Sequence, residues 1–360
     1  MSLTINSKLG DYDVNFEKSF DFIENLLLEK NSVFIIDKNI FKLYKEYFKK
    51  INSNDIFLFD AIEKNKTFDY VMKIYDFLLQ KSFKRSSTLI SIGGGITQDI
   101  TGFVSSTFYR GVKWIFVPTT FLAMTDSCIG SKTSVNYNKH KNLMGTFYPP
   151  KKIIINKDFL LTLDELDFYS GVGESIKFSL MEESYPKDFE SIKLKITSIV
   201  KSPDVRESVI KSNMIVKKSF MDDDEFDTGK RNLLNYGHCY GHALETASDY
   251  YIPHGIAVNI GMIFANFISK NRKLLNINDC EYVNKYILMP NIPLELRPRD
   301  FNRDVLLESL LNDKKRVGKD LSIVVPMDDF RMIKLTDVEV DEFKDAHNEI
   351  LEFFFKEKEN

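Results

Sequence analysis

The chain has 360 residues, with 49 lysines and arginines against 52 aspartates and glutamates and a formal charge of −3. This length predicts two domains. The charge balance excludes a whole-chain basic footprint for nucleic acid, and equally an acidic, disordered, solvating chain.

Cys128, Cys239 and Cys280 are far apart and form no CxxC motif, which argues against a disulfide framework and for a reducing compartment. The first residues hold no apolar leader core, and no run approaches eighteen uninterrupted apolar residues. A soluble, cytoplasmic protein with no membrane partner is expected.

From the N-terminus, Val33–Ile36, Ile56–Phe59, Thr88–Ile92, Trp114–Val117 and Ile153–Ile155 are short continuous apolar runs, separated by helical patterns at 41–48, 68–79 and 96–103. Continuous apolar strands alternating with helices predict a parallel sheet covered on both faces. Residues 1–160 are therefore expected to form a doubly wound, Rossmann-like α/β domain. Beyond them helical spacing dominates, at 171–181, 205–220, 230–246, 256–267, 305–311 and 338–354, and Ser322–Val325 is the one clear strand candidate. A mainly α-helical domain over 161–360 is expected.

Gly93-Gly94-Gly95 follows a predicted strand and opens a helix, where free backbone N–H groups can receive a phosphate. Gly-rich strand-to-helix turns are common, so a plain tight turn is the alternative, and Asp99 suits either a ribose hydroxyl or an ordinary helix start. In 119–142, Asp126, Lys132, Lys141 and Asn142 are interspersed with Ser127, Gly130, Ser131, Thr133 and Ser134. Such a segment can approach an anionic ligand, or can simply be a solvated loop.

In the second half, Arg231, Asn235, His238 and His242 fall at offsets of zero, four, seven and eleven, one stripe of a continuous helix. A polar seam among apolar neighbours is costly unless it is paired or binds something. Three of the five histidines, His238, His242 and His254, lie within seventeen residues. The His238/His242 spacing is that of a helical metal pair, with His254 able to return on the next helix and Glu174 the best carboxylate to complete a Zn²⁺ site. Glu174 with Lys177 three residues on could equally be an ordinary intrahelical ion pair.

These residues also resemble a known family. GGGITQDITGF (93–103), YRG (109–111), VPTT (117–120), TDSCIGSKTSVN (125–136), HKNLMGTFYPP (140–150), GESIKF (173–178), GKRNLLNYGHCYGHALE (229–245), PHG (253–255) and NDKK (312–315) resemble the 3-dehydroquinate synthase family of sugar phosphate cyclases in order and spacing. The resemblance implies a dehydroquinate synthase-like fold, NAD, and Zn²⁺ or another divalent cation such as Co²⁺ held by Glu174, His238 and His254. That ligand set replaces the spacing-based pairing of His238 with His242. NAD contacts are implied for Asp37, Asn39, Glu63, Lys66, Gly94, Gly95, Asp99, Thr119, Thr120, Lys141, Phe159 and Thr162. Substrate contacts are implied for Arg110, Asp126, Lys132, Asn142, Lys177, Lys217, Arg231, Asn235, His242, Lys314 and Lys315. His242, Lys177, Asp126, Lys217 and Asp227 carry the implied catalysis, and Arg110 implies a homodimer in which it reaches the partner's site.

The implied activity converts 3-deoxy-arabino-heptulosonate 7-phosphate to 3-dehydroquinate and phosphate, a step of aromatic biosynthesis, by NAD-cycled oxidation, phosphate elimination, reduction and aldol closure. Arg231 beside Lys217 favours this acid sugar over sedoheptulose 7-phosphate or glucose 6-phosphate. Gln98, Ser131, Ser170, Asp227 and Ile256 depart from the family pattern and point to a divergent branch, with a cyclase of another sugar phosphate as the alternative. A metal-dependent polyol dehydrogenase and a catalytically silent homologue are the readings from other classes.

Overall fold

The apolar runs of the first half become neighbouring strands of one sheet: the inner runs are buried on both faces, as a covered parallel sheet requires, while Ile56–Phe59 lies at the edge with Leu58 exposed. The computed structural model describes residues 2–29, 31–138, 140–183, 186–311 and 320–356, so Lys314 and Lys315 lie outside the described residues. The chain divides into two units, Met1–Leu163 and Asp164–Asn360. The strands are β1 (Ser2–Ile5), β2 (Tyr12–Phe16), β3 (Val33–Asp37), β4 (Ile56–Phe59), β5 (Thr88–Gly93), β6 (Lys113–Pro118), β7 (Lys132–Tyr137), β8 (His140–Phe147), β9 (Lys152–Ile155), β10 (Leu321–Pro326) and β11 (Met332–Val338).

The main sheet runs β1-β2-β9-β6-β5-β3-β4. Its neighbours are parallel except β1 and β2. From β3 the chain moves outward to β4, and from β5 it moves the other way to β6. Right-handed crossovers then place the following helices on opposite faces. A topological switch point therefore lies between β3 and β5, at whose carboxyl ends open α/β sheets bind ligands. This is the doubly wound α/β domain expected.

Two features of this first unit differ from the sequence reading. β1 and β2 have no continuous apolar run, and the polar stretch read as a possible loop contains the antiparallel β7–β8 hairpin. That hairpin alternates instead over its first residues: Thr133 and Val135 are buried while Lys132 is exposed and Ser134 and Asn136 are half-buried, so period two is present but masked by polar residues, up to a register shift between Val135 and Tyr137.

The second unit is mainly helical, with helices over Glu165–Met181, Phe189–Lys201, Arg206–Met221, His238–Ala247, His254–Asn271 and Val340–Phe355, and the small β10–β11 hairpin. None of the described helices is long and apolar enough to cross a membrane. The continuous helix expected over 230–246 is not continuous. Lys230–Asn235 forms a 3₁₀ turn, Gly237 adopts φ +79°, and a new α-helix begins at His238. The four-residue stripe is thereby cut in two.

The His254 helix is buried almost throughout and touches its neighbours backbone to backbone. A Cβ on Gly173 would lie 2.1 Å from the Gly255 carbonyl oxygen, and one on Gly255 would lie 1.8 Å from that of Ser170. On its next turns, a Cβ on Gly261 would lie 1.9 Å from the Gly237 carbonyl oxygen. Side chains longer than hydrogen cannot occupy these contacts without moving a helix. Gly173→Ala is expected to destabilise the protein by about 3 kcal/mol or more, read as a fall in the denaturant midpoint, with loss of bound divalent metal in whatever remains folded.

The C-terminal helix is latched to the same group. His347 is 1% exposed, and its Nδ1 lies 3.0 Å from the Tyr240 hydroxyl, whose ring stacks on Phe264 at 4.3 Å. Burial, aided by Arg303, lowers the His347 imidazole to about 4. Its folded value thus lies below the unfolded one of about 6.5, so the neutral ring's contribution is intact above that pH and is lost as pH falls from 6.5 towards 4. His347→Phe is expected to flatten the pH dependence of the unfolding midpoint in that window, measured by urea titration at pH 4.5 and 7.5.

Candidate active site

In the second unit, Glu174 sits inside the Glu165–Met181 helix, fully buried. His238 and His254 are each the first residue of their own helix. Glu174 Oε1 is 3.4 Å from His238 Nε2 and 3.5 Å from His254 Nε2. Two ligands of one tetrahedral Zn²⁺, each about 2.0–2.1 Å from the ion, stand about 3.3 Å apart. The Nδ1 atoms are engaged elsewhere: His238 Nδ1 lies 3.1 Å from the Tyr236 carbonyl, and His254 Nδ1 lies 3.0 Å from Glu245 Oε2. A carbonyl only accepts, so His238 carries its proton on Nδ1, and Nε2 presents a lone pair towards Glu174. The donor set fits a divalent cation.

Electrostatics agree with that fit. Burial alone would raise the Glu174 carboxyl, but the paired Lys177 ammonium and His254 hold it down at about 2. Burial and Lys177 push His238 well below its usual value, leaving it neutral. Burial would also lower His254, but Glu245 and Glu174 together lift it to about 10. A proton on His254 and a bound cation answer the same two carboxylates.

His242 is exposed, and its ring centroid is 5.4 Å from those of His238 and His254. The ligand atoms of the three histidines lie within 4.8 Å of one another. Both histidine pairings read from the sequence are therefore brought together, and Glu174 stands against His238 and His254. Lys217 and Arg231 are buried at 7% and 3% exposure. Arg231 donates Nη1 to the Glu225 carbonyl, and its backbone N–H donates to Asp224 Oδ2 at 3.0 Å. Asn235 donates Nδ2 to the Asn232 carbonyl at 2.8 Å, and Asn232 donates to Asp227 Oδ1 at 3.1 Å.

In the first unit, Asp37 ends β3 and accepts from the Asn39 and Ile40 N–H groups at 2.7 and 3.4 Å. Gly94 and Gly95 follow β5, where a Cβ on Gly94 would lie 2.8 Å from Thr120. Thr119 donates its N–H to Gly93 at 3.0 Å, and Thr120 Oγ1 accepts from Ala123 at 3.2 Å. Asp126 lies in the π-helical turn Ala123–Ser127 beside them. Lys66, 4% exposed, lies 3.0 Å from Asp99, 3.4 Å from Glu63 and 2.7 Å from Asn142. Burial opposes its charge, yet Asp99 and Glu63 raise the ammonium above its ordinary value.

Burial opposes the Glu63 charge, but Lys66 and Lys141 hold its carboxyl below the ordinary value, so Lys141 borders that cluster. Lys141 precedes Asn142, half-buried, and Lys132 is exposed at the start of β7. Phe159 is 1% exposed with its ring 4.8 Å from Tyr44, so ligand contact by Phe159 would run through its backbone; Thr162 Oγ1 meets the Tyr44 hydroxyl at 2.8 Å. Arg110 is exposed on a turn at φ +61°.

Family models describe the same two halves: 3-dehydroquinate synthase N-terminal matches 56–170, and 3-dehydroquinate synthase C-terminal matches 171–316. The 3-dehydroquinate synthase of Clostridium tetani is 35% identical over 337 residues, covering 92% of this chain and 87% of its own. This chain belongs to the 3-dehydroquinate synthase family. The Pelagibacter ubique 3-dehydroquinate synthase is also 35% identical, over 343 residues, covering 90% of this chain and 92% of its own. A 2-deoxy-scyllo-inosose synthase solved with carbaglucose-6-phosphate, NAD⁺ and Co²⁺ shares the fold at a TM-score of 0.82 and 25% identity, over 97% of this chain and 100% of its own. A 2-epi-5-epi-valiolone synthase from Streptomyces hygroscopicus, with NAD⁺ and Zn²⁺ bound, does so at 0.85 and 24%, over 97% and 99%. As a member of the 3-dehydroquinate synthase family, the protein is a phosphate-eliminating carbon–oxygen lyase.

Glu245 is the residue that sequence reasoning missed in this family member. It sits three residues after His242, within HALE, and its partner His254 is reached only once the chain has turned. Carboxylates that fix a ligating histidine typically change metal affinity about 10- to 100-fold. Glu245→Gln is expected to weaken divalent metal binding by that factor, measured by competition with a chromogenic chelator, while far-ultraviolet circular dichroism stays that of the parent.

Proposed function

We propose that the protein is a 3-dehydroquinate synthase, converting 3-deoxy-arabino-heptulosonate 7-phosphate to 3-dehydroquinate and phosphate. The observation that carries the choice of substrate is Arg231, a guanidinium 3% exposed, with the equally secluded Lys217 in the same unit. A guanidinium offers two parallel N–H donors that match a carboxylate, and the carboxylated sugar phosphate carries such a group where the neutral sugar phosphates do not.

Glu174, His238 and His254 would hold the divalent cation, Zn²⁺ or Co²⁺, with Glu245 and the Tyr236 carbonyl orienting the imidazoles. The chemistry such a cation supplies is Lewis-acid polarisation of a secondary hydroxyl. NAD would sit at the β3/β5 switch point against Asp37, Asn39 and the Gly94–Gly95 turn, with Glu63, Lys66, Asp99, Thr119, Thr120, Lys141, Phe159 and Thr162 around it. The chemistry NAD supplies is reversible hydride acceptance, with no net consumption.

The chain's own residues do the rest. Lys177, paired to Glu174 in a buried setting, keeps positive charge where a hydroxyl oxygen becomes anionic. His242 and Asp227 exchange protons at the substrate, and Asp126 holds a hydroxyl. Lys132, Asn142 and the Lys314–Lys315 pair bind phosphate oxygens, whereas Arg231, Lys217 and Asn235 receive the carboxylate. Arg110, exposed on its turn, would complete the site of a partner subunit in a homodimer.

Phosphate release with catalytic NAD⁺ tests this reading. The carboxylated heptulosonate phosphate is expected to turn over, with sedoheptulose 7-phosphate and glucose 6-phosphate inert. The reverse result overturns the substrate assignment, and steady NADH release from simple polyols would make the protein a dehydrogenase. Arg231→Ala is expected to lower kcat/KM for the acid sugar about a hundredfold or more, with metal content unchanged.

A further inference from the structure

The polar groups around Asn142 form a cradle around that one side chain. Asn142 adopts φ +51°, a left-handed conformation that asparagine tolerates better than most residues. Its N–H donates to Asn136 Oδ1 at 2.9 Å, and Asn136 Nδ2 donates to Glu63 Oε1 at 2.8 Å. The backbone is thereby pinned. The side-chain oxygen of Asn142 lies 2.7 Å from Lys66 Nζ and 2.8 Å from Ser134 Oγ. Ser134 Oγ is also 3.1 Å from Asp99 Oδ2, itself 3.0 Å from Lys66 Nζ.

This arrangement sets which end of the amide faces outward. A lysine ammonium has three donors and no acceptor, so Asn142 cannot turn its NH₂ group against Lys66. The oxygen is used inside the protein, and the NH₂ end is left for a ligand. An exposed pair of N–H donors, with Lys141 next in the chain, suits an anionic oxygen.

We propose that Ser134 and Lys66 are positioning residues that present Asn142 to the substrate as a hydrogen-bond donor to an anionic oxygen. This rests on the reading that Asn142 meets the substrate. Ser134 is the place to test it, because it holds Asn142 while leaving the Lys66–Asp99 pair in place.

The test uses the NAD- and metal-loaded protein and compares Ser134→Ala, Ser134→Thr and Asn142→Ala. The readouts are kcat, KM, NAD affinity, the thermal midpoint, and the inhibition constants of inorganic phosphate and of quinate, which bears a carboxylate without phosphate. For Ser134→Ala, KM and the phosphate inhibition constant are expected to rise about three- to tenfold. Turnover should change less than about twofold, and NAD affinity and the thermal midpoint should stay put. Ser134→Thr, which keeps the hydroxyl on a strand that favours β-branching, should restore both values. A rise for quinate instead of phosphate also supports the donor role and assigns it to the carboxylate. If Asn142→Ala raises KM and Ser134→Ala does not, the positioning role is overturned and Asn142 stands as a contact. If Asn142→Ala changes nothing, the reading that Asn142 meets substrate falls, and the proposal with it. Loss that threonine does not restore, or loss accompanied by weaker NAD binding, overturns the proposal in favour of a structural serine.

Discussion

Three helices of the second unit touch through bare backbone, and the chemistry there depends on that contact. Gly173 and Gly255 seat the His254 helix on the Glu174 helix, and Gly237 and Gly261 seat it on the His238 helix. Helices usually pack 8–10 Å apart because side chains keep them there. With hydrogen in place of side chains, His238 and His254, each beside one of these glycines, come to 3.4 and 3.5 Å from one Glu174 oxygen. Substituting any one of these glycines would part donor atoms that are otherwise untouched. Site geometry and core packing are the same fact here.

That closeness has an electrostatic cost which the surroundings answer. A buried carboxylate is unfavourable unless paired, and Glu174 has Lys177 on one side and His254 on the other. The first unit solves the converse problem. Lys66 is the buried charge there, and Asp99, Glu63 and Asn142 surround it. Neither cluster is an economical way to stabilise a fold, because apolar replacements of equal volume serve stability as well or better.

The central sheet was legible because β3, β5, β6 and β9 are continuous apolar runs, which few other arrangements bury. The β7–β8 hairpin was not, since KTSVNY and the start of HKNLMGTF are rich in polar residues and hold no continuous apolar run. The break at Gly237 was hidden for a different reason. The helical period of Arg231, Asn235, His238 and His242 runs through the glycine without a change of phase, and only its left-handed φ shows the interruption. For the site, lone-acid character singled out Glu174, and histidine clustering singled out the imidazoles. Spacing alone paired His238 with His242, and only the family resemblance put His254 in place of His242 as its fellow ligand. Glu245 carried no local signal, because its contact with His254 forms only when the chain turns between the two helices.

His238 and His254 each stand at the first position of a helix, behind Gly237 and Pro253. Peptide dipoles give such an end roughly half a positive charge, so two of them bring about one elementary charge of backbone origin to the mouth of the centre. It is fixed in place, requires no proton and does not vary with pH. A cation binding there must overcome that field, which explains why a wholly buried carboxylate is present. An anion arriving afterwards is drawn by it. The peptide backbone itself thus biases the mouth of this centre towards anions, before any side chain is counted.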